Sequence, residues 1–474
     1  MGTTTRHERS RVSKNCVTQN SEGLGVWGFR RTFIDLGWAC IFAILVVGLY
    51  FRIASFGLLV SLVLLVALVA LAPTELPMQA VDWSLLLVVS FEIATLPFSQ
   101  YSANSIRISV MVALSALMFV GVRLTMRKSI QVFVLGGALG LCGAWLALNA
   151  IAQFGAEARR FEDAGFPDLL AFRSRLITPP ASWIQGEWFT VVLLVLPFSC
   201  AVPVFLWSLG KRWPAALALV LPSVLTIALT LTLSRAVFWS TILFFCTACA
   251  LLVFSRVLSI RTGGMLLAGV FGVLILILAC ESVIHPGLIK AYVRQHTSQA
   301  RSMQGRVGIW ARSFEVLQGH PLVGVGSSNA ALMLLSTADE EKDTGFAGRT
   351  FSLPVQLLLE KGIVGVLLYM GFLVLVAREC LKAMRYSPPY PELEKRRHGN
   401  LNDLGAGSGR DTAMLDTKDE LARKTMGCCF AAGLVAVLCR EFAYSSLMEH
   451  AVTMVLVAIL AALICRAPAA RTEA

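Results

Sequence analysis

Five basic side chains crowd one stretch of this chain with a single acid to offset them: Lys290, Arg294, Arg301, Arg306 and Arg312 precede Ser328, against Glu315 alone. A guanidinium is a planar fork of donors that matches the oxygens of phosphate or pyrophosphate, so a run of this kind suits a bound anion. The bland alternative is a solvated face on an interfacial helix. Arg306 and Trp310 stand four apart and share a face if Gly305–Leu317 is helical. Gln318-Gly319-His320-Pro321 supplies the stop signals for that helix. Gly324-Val325-Gly326-Ser327 then forms a tight turn that either approaches a ligand closely or merely bends the chain.

Other candidates are isolated charges in apolar surroundings. Arg235, in Leu233-Ser234-Arg235-Ala236-Val237-Phe238-Trp239, lies where one apolar run ends and the next begins. Charge at membrane depth is costly and tends to be functional, although a snorkelling interface arginine reads the same way. Glu360 falls inside an apolar run, so its carboxylate must face protein groups or water, either pairing with an arginine or orienting a substrate. Asp339, Glu340, Glu341 and Asp343, with Lys342 among them, read as a solvated tip, with a general base or metal site as the functional alternative. No ligand spacing there favours a metal. Of the 12 cysteines, Cys40, Cys142, Cys200, Cys246, Cys249, Cys280, Cys428, Cys429, Cys439 and Cys465 lie in apolar runs. Cys246 and Cys249 have zinc-like spacing but no partner ligands, so small buried thiols are the better reading.

The elements that must position these groups follow from composition. The chain has 474 residues, 56% apolar and 15% charged, with mean hydropathy +0.71. That is too apolar for a water-soluble surface, and the apolar residues cluster in runs of membrane-spanning length. The runs are apolar on all sides, so only helices can span with them. They predict about 12 helices, near 33–51, 54–72, 81–98, 108–123, 130–152, 186–207, 214–233, 236–255, 263–281, 352–377, 425–443 and 447–465. The polar residues 1–31 form a cytoplasmic tail, and the first run starts too late for a cleaved signal, so it acts as a retained anchor.

With the N-terminus inside, Arg123/Arg127/Lys128, Lys211/Arg212, Arg256/Arg261, Arg378/Lys382/Arg385 and Arg466/Arg471 all fall inside. The short loop near Pro73–Pro77 is an exception, carrying Glu75 and no positive charge. This topology accounts for most of the +12 net charge; anionic lipid or a phosphate-bearing substrate takes the rest. Nucleic acid is not an expected partner, because no compact basic domain is present. The predicted domains are transmembrane helices over 32–281, a large outer loop over 282–351, a helix over 352–377, a flexible Pro- and Gly-rich inner loop over 378–424, and two helices with a short tail over 425–474. The outward-facing basic patch violates the inside-positive trend and therefore asks for a reason. The lack of an internal repeat disfavours repeat-built transporters.

The residues resemble a superfamily: the O-antigen ligases, O-antigen polymerases and related bacterial polysaccharide-assembly proteins. Three pieces carry the likeness. Ser234-Arg235-Ala236 followed by Trp239 looks like the start of an outer helix entry. Gly305-Arg306-x-x-x-Trp310 with His320-Pro321-Leu322-x-Gly324-x-Gly326 resembles the segment in the major periplasmic loop. Gln356-Leu357-Leu358-Leu359-Glu360-Lys361-Gly362-Ile363-Val364-Gly365 looks like the helix after that loop. The resemblance implies an all-helical, GT-C-like membrane glycosyltransferase of the bacterial inner membrane, with both termini cytoplasmic and with no metal or other cofactor. It would move a glycan from an undecaprenyl-diphosphate carrier to an acceptor hydroxyl. Arg235 and Arg306 would hold the diphosphate, with Arg301, Arg312 and Trp310 beside them.

Family members commonly place a His-Asn pair just before the last motif, with the histidine as base. Here Phe351-Ser352 stands there, which leaves His320, His296 and Glu360 as substitutes. His320 also reads as a helix C-terminal cap. Polymerase and ligase stay unseparated, with a polymerase-like role favoured. Two other classes stay open: a lipid-linked sugar flippase or exporter, and a scaffold among other polysaccharide-assembly proteins that has lost its base.

Overall fold

The computed structural model describes residues 79–125, 129–164, 176, 188–287, 290, 299–336, 352–385, 408–443, 457 and 461–462. Every regular element among them is helical, as a lipid-embedded backbone requires, because an unpaired N–H or C=O in hydrocarbon costs several kcal/mol. Among the described residues eight helices are long and apolar enough to cross a membrane: Ser102–Arg123, Leu139–Asp163, Trp188–Trp207, Arg212–Leu231, Arg235–Phe254, Ile260–Ile284, Leu353–Lys382 and Leu421–Glu441. The chain is a multi-pass membrane protein.

In chain order the longer elements are α1 (Ala80–Ala94), α2 (Ser102–Thr125), α3 (Ser129–Asp163), α4 (Trp188–Ser208), α5 (Arg212–Ala218), α6 (Val220–Leu231), α7 (Arg235–Phe254) and α8 (Ile260–Ile284). They continue as α9 (Gln299–Gln318), α10 (Ala330–Ser336), α11 (Leu353–Arg385) and α12 (Ser408–Ala443). The predicted run 81–98 becomes the 15-residue α1 and a short 3-10 turn, Leu96–Phe98, because Pro97 stops the helix. The predicted spans 33–51 and 54–72 lie outside the described residues, and 447–465 does so apart from Val457, Ala461 and Ala462. Helix ends extend past the apolar runs: α3 reaches Asp163, α11 reaches Arg385, and α12 begins at Ser408. Charged turns beyond the membrane-length core remain helical because neighbours three apart can pair, as Lys382 and Glu379 do at 2.6 Å. The stretch read as a flexible inner loop, 378–424, is therefore helical at both margins, while 386–407 lies outside the described residues.

The core is centred on α4, the most enclosed span, which packs against α3, α6 and α12. Trp188, Phe198, Phe244 and Phe430 are among the fully buried large side chains, and the rings of Phe198 and Phe430 are 4.7 Å apart. α7 lies antiparallel along α12, with Ser255 Oγ at 3.3 Å from Cys428 Sγ at one end. Hydroxyls inside these helices are satisfied locally: Thr226, Thr230 and Thr241 donate to the carbonyls of Pro222, Thr226 and Val237 at 2.7–2.8 Å. At the Ser255 end, Arg123 of α2 pairs with Asp82 of α1, and Asp82 also accepts the Gln79 N–H at 2.7 Å. This fixes the α1–α2 hairpin, and its turn lies at the opposite end of the bundle, where the candidate site is built.

Candidate functional site

A break in α11 organises the site. Gly362 adopts φ 62°, ψ −171°, so α11 is two helices that meet at this residue. A break in a membrane helix frees backbone groups that must find partners in protein, and here the segment after α9 supplies all of those that follow. The Leu359 and Glu360 carbonyls accept from the Val325 and Gly326 N–H groups at 2.9 and 3.0 Å. Ile363 and Val364 donate to the Pro321 and Leu322 carbonyls at 3.0 and 3.2 Å. The Pro-Leu-x-Gly-x-Gly stretch thus lies across the broken helix as a short paired strip.

That pairing explains two glycines. Gly324 has φ +70° and a Cβ there would strike the Glu360–Lys361 peptide, while a Cβ on Gly362 would strike the Leu322 carbonyl. The close approach expected of the Gly324-Val325-Gly326 turn is therefore to another backbone. Ser328 is held in the left-handed region as well, φ 59°, a strained conformation of the kind that gathers at functional sites. Asn329, fully buried, anchors the end of the strip: its Nδ2 donates to Ser99 Oγ at 2.8 Å and to the Val325 carbonyl at 3.0 Å. Ser105 Oγ donates to the Ser327 carbonyl at 3.0 Å.

Behind the strip sits a buried ionic cluster. Lys361 Nζ donates to Glu92 Oε2 and to Ser327 Oγ. Ser327 Oγ donates to Glu92 Oε2, and Tyr369 OH donates to Glu92 Oε1, each at 2.8 Å. Glu360 is also buried, and it accepts from Gln356 Nε2 at 3.1 Å. An arginine partner was one expectation for Glu360; an amide one helical turn away fills that place.

The strip continues directly from α9. The predicted helix Gly305–Leu317 forms within Gln299–Gln318 and stops at Gly319-His320, whose N–H groups return to Val316 and Leu317 at 3.2 and 2.9 Å. Ile309 of α9 packs in one apolar cluster with Val325, Ala330, Leu334 and Leu359, so α9 is docked on the same broken helix. Arg306, Trp310 and Arg312 are each half-buried on α9, and Arg301 lies one turn or more before them. His320 is half-exposed, and its Nε2 lies 3.1 Å from Gln100 Nε2.

Arg235 stands at the start of another helix. α6 ends at Leu231 and α7 begins at Arg235, with Leu233 forced to φ 51° in the sharp reversal between them. Ser234 is the N-cap, so Arg235 occupies the first helical position, where the helix dipole and free N–H groups also favour an anion. Partial burial and the nearby Arg235 guanidinium hold Arg306 below the usual arginine range. The structure therefore brings Arg235 and Arg306, separated by about 70 residues of sequence, into one electrostatic field.

Besides the Asp82–Arg123 pair, two buried charged pairs among the described residues escaped the sequence reading. Glu92 and Lys361 are one; Arg440 and Glu441, paired at the C-terminal end of α12 with Arg440 5.0 Å from the Phe189 ring centroid, are the other. The signal was present: opposite charges inside apolar runs, which pay for burial only when paired. What the sequence does not contain is the pairing itself, since Glu92 and Lys361 stand 269 residues apart.

A helical, multi-pass membrane protein with a broken helix, on which a basic helix is docked, is the class that the fold defines. Residues 217–370 match the family model described as O-antigen ligase, and this domain supports membership of the O-antigen ligase superfamily. The matched stretch contains Arg235, Arg306, Trp310, Arg312, His320, Glu360 and Lys361. An O-antigen ligase- or polymerase-like role follows from it. No curated protein matches the chain.

Proposed function

We propose that the protein transfers a glycan from an undecaprenyl-diphosphate carrier to an acceptor hydroxyl at the outer face of a bacterial inner membrane. The observation that carries this reading is the family match over 217–370, which spans both Arg235 at the start of α7 and Arg306 on the docked helix α9, two guanidiniums that feel each other's charge. Two guanidiniums and a helix N-terminus beneath one of them would each stabilise a bound diphosphate. Arg235 opens an apolar helix of membrane-spanning length, a position that would let a polyprenyl tail lie in lipid while its headgroup is polar-bound.

In the reaction the acceptor oxygen forms a bond to the anomeric carbon as the bond from that carbon to the diphosphate oxygen breaks. The electron pair leaves on the diphosphate, and the arginines stabilise that growing charge. The acceptor proton passes to a base. Of the three candidates, His296 lies outside the described residues, His320 is half-exposed on the strip, and Glu360 is 2% exposed and already bonded to Gln356. His320 is the better placed to meet a substrate. Trp310 lies one turn after Arg306 on the same face of α9, the indole offering a flat surface to a sugar ring, whereas Arg312 falls on a different face of that helix.

The test is glycan profiling of cells that lack the gene and carry wild type, Arg235→Ala or Arg306→Ala, with membrane levels checked. The proposal expects normal insertion and short or carrier-bound glycans in both variants. Wild-type polysaccharide in both would favour a flippase or scaffold role instead.

A further inference from the structure

Glu92 lies outside the matched family domain, near the end of α1, and is 1% exposed. Its carboxylate is shared among three parts of the molecule. Oε2 accepts from Ser327 in the strip and from Lys361 immediately before the helix break; Oε1 accepts from Tyr369, two turns beyond the break. One side chain thus ties α1, the strip and both halves of α11. An isolated pair of charges gives little net stability when buried, since desolvation offsets the attraction. What such a pair does fix is geometry: neither end can leave without stranding the other. The geometry fixed here is the seat of the strip, and α9 enters the strip at Gln318-Gly319 without an intervening loop.

We infer that Glu92 and Lys361 are positioning residues for glycan transfer, holding the strip 319–329 on the broken helix so that α9, and Arg306 with it, stays docked there. The inference rests on the transfer reaction proposed above. Neither residue touches the diphosphate. Both act through the backbone pairing of Val325, Gly326, Ile363 and Val364.

The experiment uses the full chain purified into lipid nanodiscs, as wild type, Glu92→Gln, Tyr369→Phe, the exchanged pair Glu92→Lys/Lys361→Glu, and Arg306→Ala. Amide hydrogen exchange is followed in peptides covering 319–329 and 359–366, and glycan transfer from a polyprenyl-diphosphate donor is followed with its KM and kcat separated. Glu92→Gln keeps the size and removes the charge. It is expected to speed exchange in those two peptides by roughly tenfold or more while α4 and α12 are unchanged. Transfer is expected to fall by roughly tenfold or more with a raised donor KM, because a displaced Arg306 weakens ground-state and transition-state contacts alike. The exchanged pair should recover part of both, and Tyr369→Phe should move both in the same direction by less. Unchanged exchange in Glu92→Gln and Tyr369→Phe overturns the inference. So does faster exchange with wild-type transfer, provided Arg306→Ala is inactive. Wild-type transfer by Arg306→Ala would instead overturn the arginine reading beneath it, whatever Glu92→Gln does.

Discussion

Replacing Gly324 by alanine should open the site without touching any charged group. The residue has φ +70°, and the added methyl would strike the backbone of Glu360 and Lys361, atoms of a helix end that cannot swing aside. The left-handed conformation costs an alanine about 1–2 kcal/mol. Forced overpacking against backbone adds about 1–3 kcal/mol. The sum, about 2–5 kcal/mol, acts on the local opening of the strip and corresponds to roughly 30-fold to 4,000-fold at about 1.4 kcal/mol per decade. Amide exchange at Val325 and Gly326, whose N–H groups pair with Leu359 and Glu360, reads that opening directly. Gly308→Ala is the matched control. Gly308 lies on α9 with nothing within 4 Å of an added Cβ, so alanine there should be neutral or stabilise by about 0.5–1 kcal/mol. Equal exchange in the two variants would refute the claim that the glycine-rich strip is seated on the broken helix.

Three other outcomes are expected. Arg440→Met alone should strand the fully buried Glu441 carboxylate and destabilise the solubilised protein by about 3–5 kcal/mol, whereas Arg440→Met/Glu441→Leu should cost far less; thermal unfolding of the purified protein compares them. Asn329→Asp preserves shape but replaces the donor amide with a carboxylate facing the Val325 carbonyl, so it should destabilise the strip more than Asn329→Ser does in the same exchange experiment. Arg235→Lys keeps the charge and loses the planar fork, and its transfer rate should fall between those of wild type and Arg235→Ala in membranes of equal protein content.

The helical class, the position of α9 and the turn signals at Gly319-His320 were legible because they depend on local pattern: apolar runs, a four-residue spacing and Gly-Pro punctuation. The chemistry candidates stood out for other reasons, Arg235 as an arginine at the edge of an apolar run and Arg306 as part of a basic patch with Trp310 four residues on. Their approach to one another was not legible, because it depends on how α7 and α9 stand in space. The Gly324-Val325-Gly326 turn shows the limit more sharply. Its residues announced a close backbone approach, yet nothing local names the partner, which is the break at Gly362 some forty residues on. Glu92 carried the least local signal. It sits in a run that reads as an ordinary span, and its meaning appears only when Ser327, Lys361 and Tyr369 converge on it.

The central claim is that Arg235 and Arg306 together hold a lipid-linked diphosphate during glycan transfer. The most direct test is a reconstituted assay with purified protein, a polyprenyl-diphosphate glycan donor and an acceptor glycan, comparing wild type, Arg235→Ala, Arg306→Ala and the double variant. The account predicts product from wild type, a loss of roughly a hundredfold or more in each single variant, and a double variant little worse than either single, because the two act as one unit. Wild-type rates in both single variants, with the folded protein present, would contradict it.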